Sequence, residues 1–422
     1  MRVLVIGSGG REHAMVRALG RSPSVDFIAC APGSDAIALE KNVECIDIFA
    51  QTDIKNYCLK EEINLVVVGP EQPLVDGLAD MLRAEKINVF GPSSHGAKLE
   101  ASKDFTKRLC TDYGIPTAAY ATFDNHDEAL AYVKKKGVPI VIKADGLAAG
   151  KGVTVATTLV EAEKALVDCF DGIFGDAGAK VVIEEFMEGE EFSFFALCDG
   201  ATATYFASAQ DHKRAFDNDK GPNTGGMGAF SPTPLVGKDM EDLVMKKIIT
   251  PTIEALHKEY IPYHGVLFAG IMLTSKGPKL IEYNCRFGDP ETQVMLERFE
   301  GDLALLLMSC AQGRIDTNQI KFRDDAAVCV VMAASGYPGK YVKGTQIKNL
   351  EKAGEVYGVS ILHAGTMLAD GNWLSRGGRV LNVVATGPGL RQTRYRAYEA
   401  VDLIDWPDGF CRRDIGARAQ KN

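Results

Sequence analysis

The sequence has no Cys-x-x-Cys pair, no internal repeat, no low-complexity segment and no apolar run near the ~20 residues that a membrane helix needs. Each absence removes a class of protein. The 10 cysteines (Cys30, Cys45, Cys58, Cys110, Cys169, Cys198, Cys285, Cys310, Cys329 and Cys411) stand singly and outside zinc-ligand spacings, so the expectation is reduced, mostly buried thiols in a cytoplasmic protein. Positive charge is also short. A net charge of −9 argues against a broad nucleic-acid surface, though it leaves room for local basic pockets. The chain enters a strand and a glycine turn at once, which predicts no signal peptide, and no membrane partner is expected.

What is present is a soluble globular composition, 46% hydrophobic and 24% charged, with 43 glycines that point to many tight loops. A length of 422 residues predicts about two to four domains. Residues 2–6 read as an apolar strand, Gly7-Ser8-Gly9-Gly10 as a turn and residues 11–19 as a helix, a layout that aims backbone N–H groups at an anion. Glu12 stands where a dinucleotide fingerprint needs its third glycine, and Cys30-Ala31-Pro32-Gly33 offers no acid for a ribose diol. A single phosphate is therefore expected instead of NAD, with a turn that serves only helix packing as the plain alternative. Leu65-Val66-Val67-Val68 has the continuous apolar character of a parallel strand buried on both faces, and Glu71 after it is either a ligand contact or a cap.

Ser102 is placed to cap a helix that runs to the break at Gly114-Ile115-Pro116. Residues 139–143 and 153–156 read as two strands joined by a glycine-rich loop with Gly150, Lys151 and Gly152. The spacing is one residue short of a Walker loop and a strand follows it, so a hairpin flap over a triphosphate is expected, with Lys143 anchored on the strand. Residues 180–186 form another strand, whose end suits adenine, and an acid a few residues on suits ribose. The stretch 211–228 reads as a long polar loop with a Thr224-Gly225-Gly226 nest, suited to a small zwitterion or an anion. Residues 278–284 look like a strand with Glu282 and Asn284 on one face, two hard oxygen donors of the kind that help hold nucleotide-bound Mg²⁺. Arg286 follows, a fixed guanidinium for phosphate.

Taken together, Gly7-Ser8-Gly9-Gly10-Arg11-Glu12-His13-Ala14, the 143–152 loop, Gln210-Asp211-His212-Lys213-Arg214, the 221–228 stretch and Asn284-Cys285-Arg286-Phe287-Gly288-Asp289-Pro290-Glu291-Thr292-Gln293 resemble the phosphoribosylamine–glycine ligases, an ATP-grasp family of purine synthesis. The resemblance runs from residue 1 to about residue 416. It implies an α/β and α+β multidomain fold: an N-terminal parallel-sheet, Rossmann-like substrate domain at 1–101, a central ATP-grasp lobe at 102–121 and 192–325, a flap lobe at 122–191, and a C-terminal α+β domain at 326–422. It implies the cosubstrate ATP, Mg²⁺ or Mn²⁺ on Glu282 and Asn284, and glycine and 5-phosphoribosylamine as the other small molecules. By the same resemblance Lys103, Lys143, Gly150, Lys151 and Gly152 would meet phosphates, and Glu184, Phe186 and Glu191 would frame adenine and ribose. Gly9, Gly10, Arg11 and Glu12 would receive the phosphoribosyl end. Asp211, Lys213, Thr224, Gly225, Gly226 and Asp289 would receive the glycine end, with Arg286, Asp211 and Lys143 as catalytic groups.

Two departures qualify it. Residues 266–275 hold no acid, where many ATP-grasp enzymes have a second carboxylate, so the number of metals is open. The chain leaves no room for fused partner enzymes, which predicts a stand-alone, bacterial protein acting as a monomer or homodimer. Other readings are an ATP-grasp ligase for a different small acid such as formate or bicarbonate, a dinucleotide-dependent oxidoreductase, and a non-catalytic ATP sensor.

Overall fold

The computed structural model describes residues 1–147, 152–173, 175–417 and 419. The glycine-rich loop members Gly150 and Lys151 lie outside the described residues. The N-terminal region is a five-stranded parallel sheet in the order β3-β2-β1-β4-β5, formed by Arg2–Gly7 (β1), Phe27–Pro32 (β2), Val43–Cys45 (β3), Leu65–Val68 (β4) and Asn88–Phe90 (β5). All four residues of β4 are buried, as their continuous apolar run requires for a strand covered on both faces. The register aligns Ile6 with Val68, so the glycine turn after β1 and Gly69 after β4 share the carboxyl edge of the sheet.

A four-stranded antiparallel sheet follows, in the order β6-β9-β7-β8: Tyr120–Phe123 (β6), Ile140–Ala144 (β7), Val153–Ala156 (β8) and Val181–Glu185 (β9). The expected hairpin is therefore there, with Lys143 paired to Val153 across it. The helix Lys103–Asp112 begins where Ser102 accepts a hydrogen bond from the Phe105 N–H, and His126–Lys136 begins on Asn125 in the same way.

The largest sheet has nine strands. Glu190–Gly200 (β10), Ala203–Asp211 (β11), Gly228–Ser231 (β14), Tyr263–Thr274 (β15), Gly277–Asn284 (β16) and Ala326–Ala334 (β17) run in the order β16-β15-β10-β11-β14-β17, then Arg379–Gly387 and Val359–His363, with the short Gly409–Phe410 strand also paired to β17. One result here differs from the sequence reading. Residues 211–228 are not one irregular loop, because Arg214–Phe216 (β12) and Lys220–Asn223 (β13) pair as a short hairpin. The Phe216 ring packs under Gly221, where φ is +81° and a Cβ would fall 2.5 Å from the ring, so only glycine closes this turn. In the C-terminal region β14 pairs with β17 and carries the central sheet on into Arg379–Gly387 and Val359–His363, while Gln346–Ile347, Asn372–Ser375 and Thr366–Ala369 form a separate three-stranded sheet.

One side chain ties these layers together. Phe287 lies within 5.9–6.4 Å of the Phe90, Phe195 and Phe206 rings, so the turn after β16 is pinned by aromatic packing to both the N-terminal and the central sheet. The orientation of the neighbouring Arg286 follows from that anchor.

Candidate active site

Between these sheets lies a cavity of about 900 Å³. Its walls include Lys103, Lys143, Gly152, Glu184, Phe186, Glu191, Asp211, Lys213, Thr224, Gly225, Glu282, Asn284, Arg286 and Asp289. Most of the residues singled out in the sequence are thus brought together, although they come from five different segments. Gly9, Gly10, Glu12 and Gly226 are not among the described lining residues, whereas Arg11 is.

The charges in this cavity are paired in small sets. Glu184, buried on β9, takes Lys143 Nζ on one oxygen at 2.9 Å and Lys107 Nζ on the other at 3.1 Å, with all three side chains 3% exposed. Lys143 Nζ also donates to the Ile281 carbonyl at 3.2 Å, and Lys107 Nζ to Thr117 Oγ1 at 2.7 Å. Glu184 lines the cavity, and its carboxylate is also the counter-ion that holds two lysines across the lobes. Lys107, which no local pattern marks, is the partner that sequence reading missed.

Arg286 is fixed by two acids, Nε to Glu71 at 3.2 Å and Nη2 to Glu100 at 2.9 Å, and Nη1 donates to the Phe287 carbonyl. Glu71 is therefore an ion-pair partner. Glu100, whose carboxyl is pushed up by burial and drawn down by Arg286, also accepts the Cys285 N–H at 2.8 Å. Lys213 bridges Glu191 and Glu282, at 3.7 Å from the latter. Burial opposes ionisation of Glu282, but Lys213, Lys143, Lys103 and Arg286 outweigh it and hold the carboxyl at about 2. Lys103 differs from these cations. Its Nζ donates to the Gly146 carbonyl at 2.8 Å, no acid lies within ion-pair distance among the described residues, and burial lowers its pKa.

For a divalent cation, the donor chemistry at Glu282 and Asn284 fits. The carboxylate stays ionised, both residues sit on the same face of β16, and both open into the cavity. Among the described residues there is no cluster of three or more His, Cys, Asp or Glu side chains able to hold a metal. The protein thus offers about the one or two ligands expected where most of the shell comes from phosphate and water.

The glycine turn is arranged differently from the expectation. The Gly9 N–H, aimed forward as predicted, is taken by the Glu12 carboxylate at 2.7 Å, and the other Glu12 oxygen holds Arg11 Nε at 2.6 Å. Gly10 packs so closely on Asn382 that a Cβ would fall 2.2 Å from its amide nitrogen. The end of the Gly10–Gly20 helix is thus partly capped from within, and Arg11, with Nη1 on the Phe287 carbonyl, is the member that reaches the cavity wall.

The 211–228 hairpin is clamped by the end of the chain. Arg412, 1% exposed, pairs with Asp219 at 2.8 Å and Asp414 at 2.7 Å, and Asp414 accepts the Asn218 N–H. His212 Nδ1 faces the Gly228 carbonyl at 3.3 Å, and its Nε2 accepts from the Gly416 N–H at 3.3 Å, so one neutral tautomer satisfies both. Burial and Arg412 lower the imidazole to about 4. In the unfolded chain it returns to about 6.5. The clamp's contribution is therefore complete above about pH 6.5 and is lost as the pH falls toward 4. The expected result is a melting temperature that drops across this window, and drops less in His212→Gln.

Three family models cover nearly the whole chain: phosphoribosylglycinamide synthetase N domain at residues 1–100, ATP-grasp (A) domain at 101–292 and C domain at 327–418. The phosphoribosylamine–glycine ligase of Mesorhizobium japonicum is 55% identical over 99% of this chain and 98% of its own. The chloroplastic enzyme of Arabidopsis thaliana is 53% identical over 97% of this chain and 78% of its own. The crystal structure of the Thermotoga maritima ligase matches 98% of this chain and 100% of its own with a TM-score of 0.83 at 31% identity. The biotin carboxylase domain of Hydrogenobacter thermophilus 2-oxoglutarate carboxylase shares the fold alone, at TM-score 0.74 and 14% identity. The ATP-grasp lobes, the cavity between them and these full-length matches agree: the chain belongs to the phosphoribosylglycinamide synthetase family, the phosphoribosylamine–glycine ligases.

Proposed function

We infer that the protein joins glycine to 5-phosphoribosylamine with conversion of ATP to ADP and phosphate. The observation that carries this is a single cavity lined together by Lys103, Lys107, Lys143, the Glu282–Asn284 strand and the 211–228 hairpin. In this reading a glycine carboxylate oxygen attacks the γ-phosphorus of ATP and ADP leaves. The amine nitrogen of phosphoribosylamine then attacks the glycyl carbonyl, inorganic phosphate departs and the nitrogen gives up a proton. A carboxylate is a poor electrophile until its oxygen becomes part of a phosphate, and phosphoryl transfer needs positioning and charge neutralisation more than a protein nucleophile.

Lys103, with no acid within ion-pair distance among the described residues, is the cation most available to the polyphosphate, and Lys143 is held in place for it by Glu184. Phe186, half-exposed on the wall, and the Glu191 region would frame adenine and ribose. Glu282 and Asn284 would hold Mg²⁺ or Mn²⁺, which supplies charge neutralisation on the phosphate oxygens when bound. Arg286 acts within a fixed triad with Glu71 and Glu100, so its part is to shape the wall as much as to offset phosphate charge. Arg11 is the residue of the glycine turn placed to meet the phosphoribosyl end, and Asp211, Lys213, Thr224 to Gly226 and Asp289 surround the glycine end. No helix among the described residues is long and apolar enough to cross a membrane. A cytoplasmic location fits the bacterial relatives, although the plant one is chloroplastic.

ADP release in the presence of ATP, Mg²⁺ and freshly generated phosphoribosylamine tests the reading. Glycine is expected to support it, and formate or bicarbonate is not. Release that ignores glycine would overturn the assignment.

A further inference from the structure

Each buried acid of the cavity described above has a cation within ion-pair distance, with two exceptions. Asp211, the last residue of β11, accepts only the His212 N–H at 2.6 Å. Glu291 opens the helix Glu291–Arg298 and is 3% exposed, with Oε1 accepting from Ser193 Oγ at 2.9 Å. Neither has a Lys, Arg or His partner among the described residues, although both line the cavity. The two stand close together. Gly226, with φ +112°, brings its backbone so near that a Cβ would fall 2.5 Å from Pro290 Cδ and 2.7 Å from Asp211 Oδ1.

The cations around the pair are committed elsewhere. Lys213 belongs to Glu191 and Glu282, and Arg286 to Glu71 and Glu100. Arg379 is taken by Asp289 at 3.2 Å and by the Gly225 and Asp289 carbonyls. Burial raises both carboxyls and Glu291 raises Asp211 further, against a smaller downward pull from Lys213 on both and from Arg286 on Glu291, neither cation being within ion-pair distance. Elsewhere on the cavity wall Lys103 is a cation with no acid within ion-pair distance among the described residues. The cavity thus holds acids that lack a paired cation and a cation that lacks a paired acid.

We propose that Glu291, together with Asp211, seats the ammonium group of the acid substrate, and that this pair makes the protein select an α-amino acid over a hydroxy acid of the same size. The proposal rests on the ligase reading and adds to it the residue that sets specificity. No bond is made or broken. The ammonium brings positive charge to two carboxyls that burial raises, which draws both down, and any proton it displaces passes to solvent.

The test compares the full chain with its Glu291→Gln variant, using glycine and glycolate as alternative acids with ATP, Mg²⁺ and phosphoribosylamine. Loss of a charge-assisted bond to a buried group predicts a glycine KM higher by roughly 30-fold, an ATP KM within about twofold of wild type, and a glycine-to-glycolate kcat/KM ratio lowered by a similar factor. A lower kcat at unchanged glycine KM would overturn the proposal and assign Glu291 to the proton lost by the attacking amine. An unchanged profile would reduce it to a helix cap. Should the variant not fold, calorimetry on the wild-type chain with a non-hydrolysable ATP analogue decides. Glycine binding is expected to release protons, seen as a heat that depends on the buffer, and glycolate binding is not; equal heats for the two acids would overturn the proposal. Failure of the ligase reading would look different, since ADP release would then ignore glycine in the wild type while the calorimetric preference remained.

Discussion

Replacing Glu282 with alanine is expected to lower turnover by about a thousandfold or more, the scale seen when one preorganised electrostatic group is removed from an active site. The structure explains why the loss would be catalytic and not structural. The Glu282 side chain keeps 32% of its exposure, opening into the cavity, and its cation Lys213 retains Glu191 as a partner. No buried charge is stranded, so the melting temperature should stay within about 2 °C of wild type. ATP should still bind, because removing the acid leaves Lys103, Lys143 and Arg286 less neutralised. The Mg²⁺ dependence of turnover should weaken or vanish. With the carboxyl held at about 2, the wild-type metal dependence should show no titration from this residue between pH 5 and 9. Steady-state ADP release at varied Mg²⁺ and nucleotide binding by calorimetry make the check. Near-normal turnover would remove Glu282 from the metal site.

Arg286→Ala should behave in the opposite way and fail first as a structure. The guanidinium holds Glu71 and Glu100, and Glu100 has a side-chain exposure of only 9%. Truncation leaves the buried Glu100 and the partly buried Glu71 without their cation, a loss on the order of 3 kcal/mol. Some is recovered as Glu100, already raised by burial, takes up a proton. The recovery has a sign that can be measured. Because the variant's folded state gains a raised carboxyl, its deficit in melting temperature relative to the wild type should be smaller at pH 5 than at pH 8, the His212 effect being common to both chains. Adding Glu71→Gln to Arg286→Ala should restore part of the melting temperature, since the two sites share one ion-pair network. Equal melting of wild type and single variant would mean that the triad contributes nothing net.

Much of the N-terminal fold was legible from local pattern. The apolar strands at 2–6 and 65–68, the Ser102 cap and the helix near 127–136 are written in residues three or four apart, and the structure places elements there within a residue or two. The hairpin of β7 and β8 was equally readable, because its strands flank a glycine-rich turn. The 211–228 stretch was only half legible. Its polarity marked it as functional, but the β12–β13 pairing depends on Phe216 packing and on the Arg412 clamp, which arrives from almost 200 residues later.

The candidate site divides along the same line. The sequence by itself determined which donors are present: Glu282 and Asn284 on one strand face, Lys143 within an apolar strand and Arg286 beside them, since side-chain period and composition are local properties. Only the tertiary structure decided which charges are neutralised. Glu184 meets Lys143 and Lys107, Arg286 meets Glu71 and Glu100, and Glu12 fills the turn in front of its own helix. Apart from Glu12, these partners lie 41 to 215 positions away, and Asp211 and Glu291 are set apart by having no ion-pair partner among the described residues. Ionic pairing acts through space over a few ångströms, so the order of residues along the chain specifies the ions, while the packing of the sheets chooses the pairs.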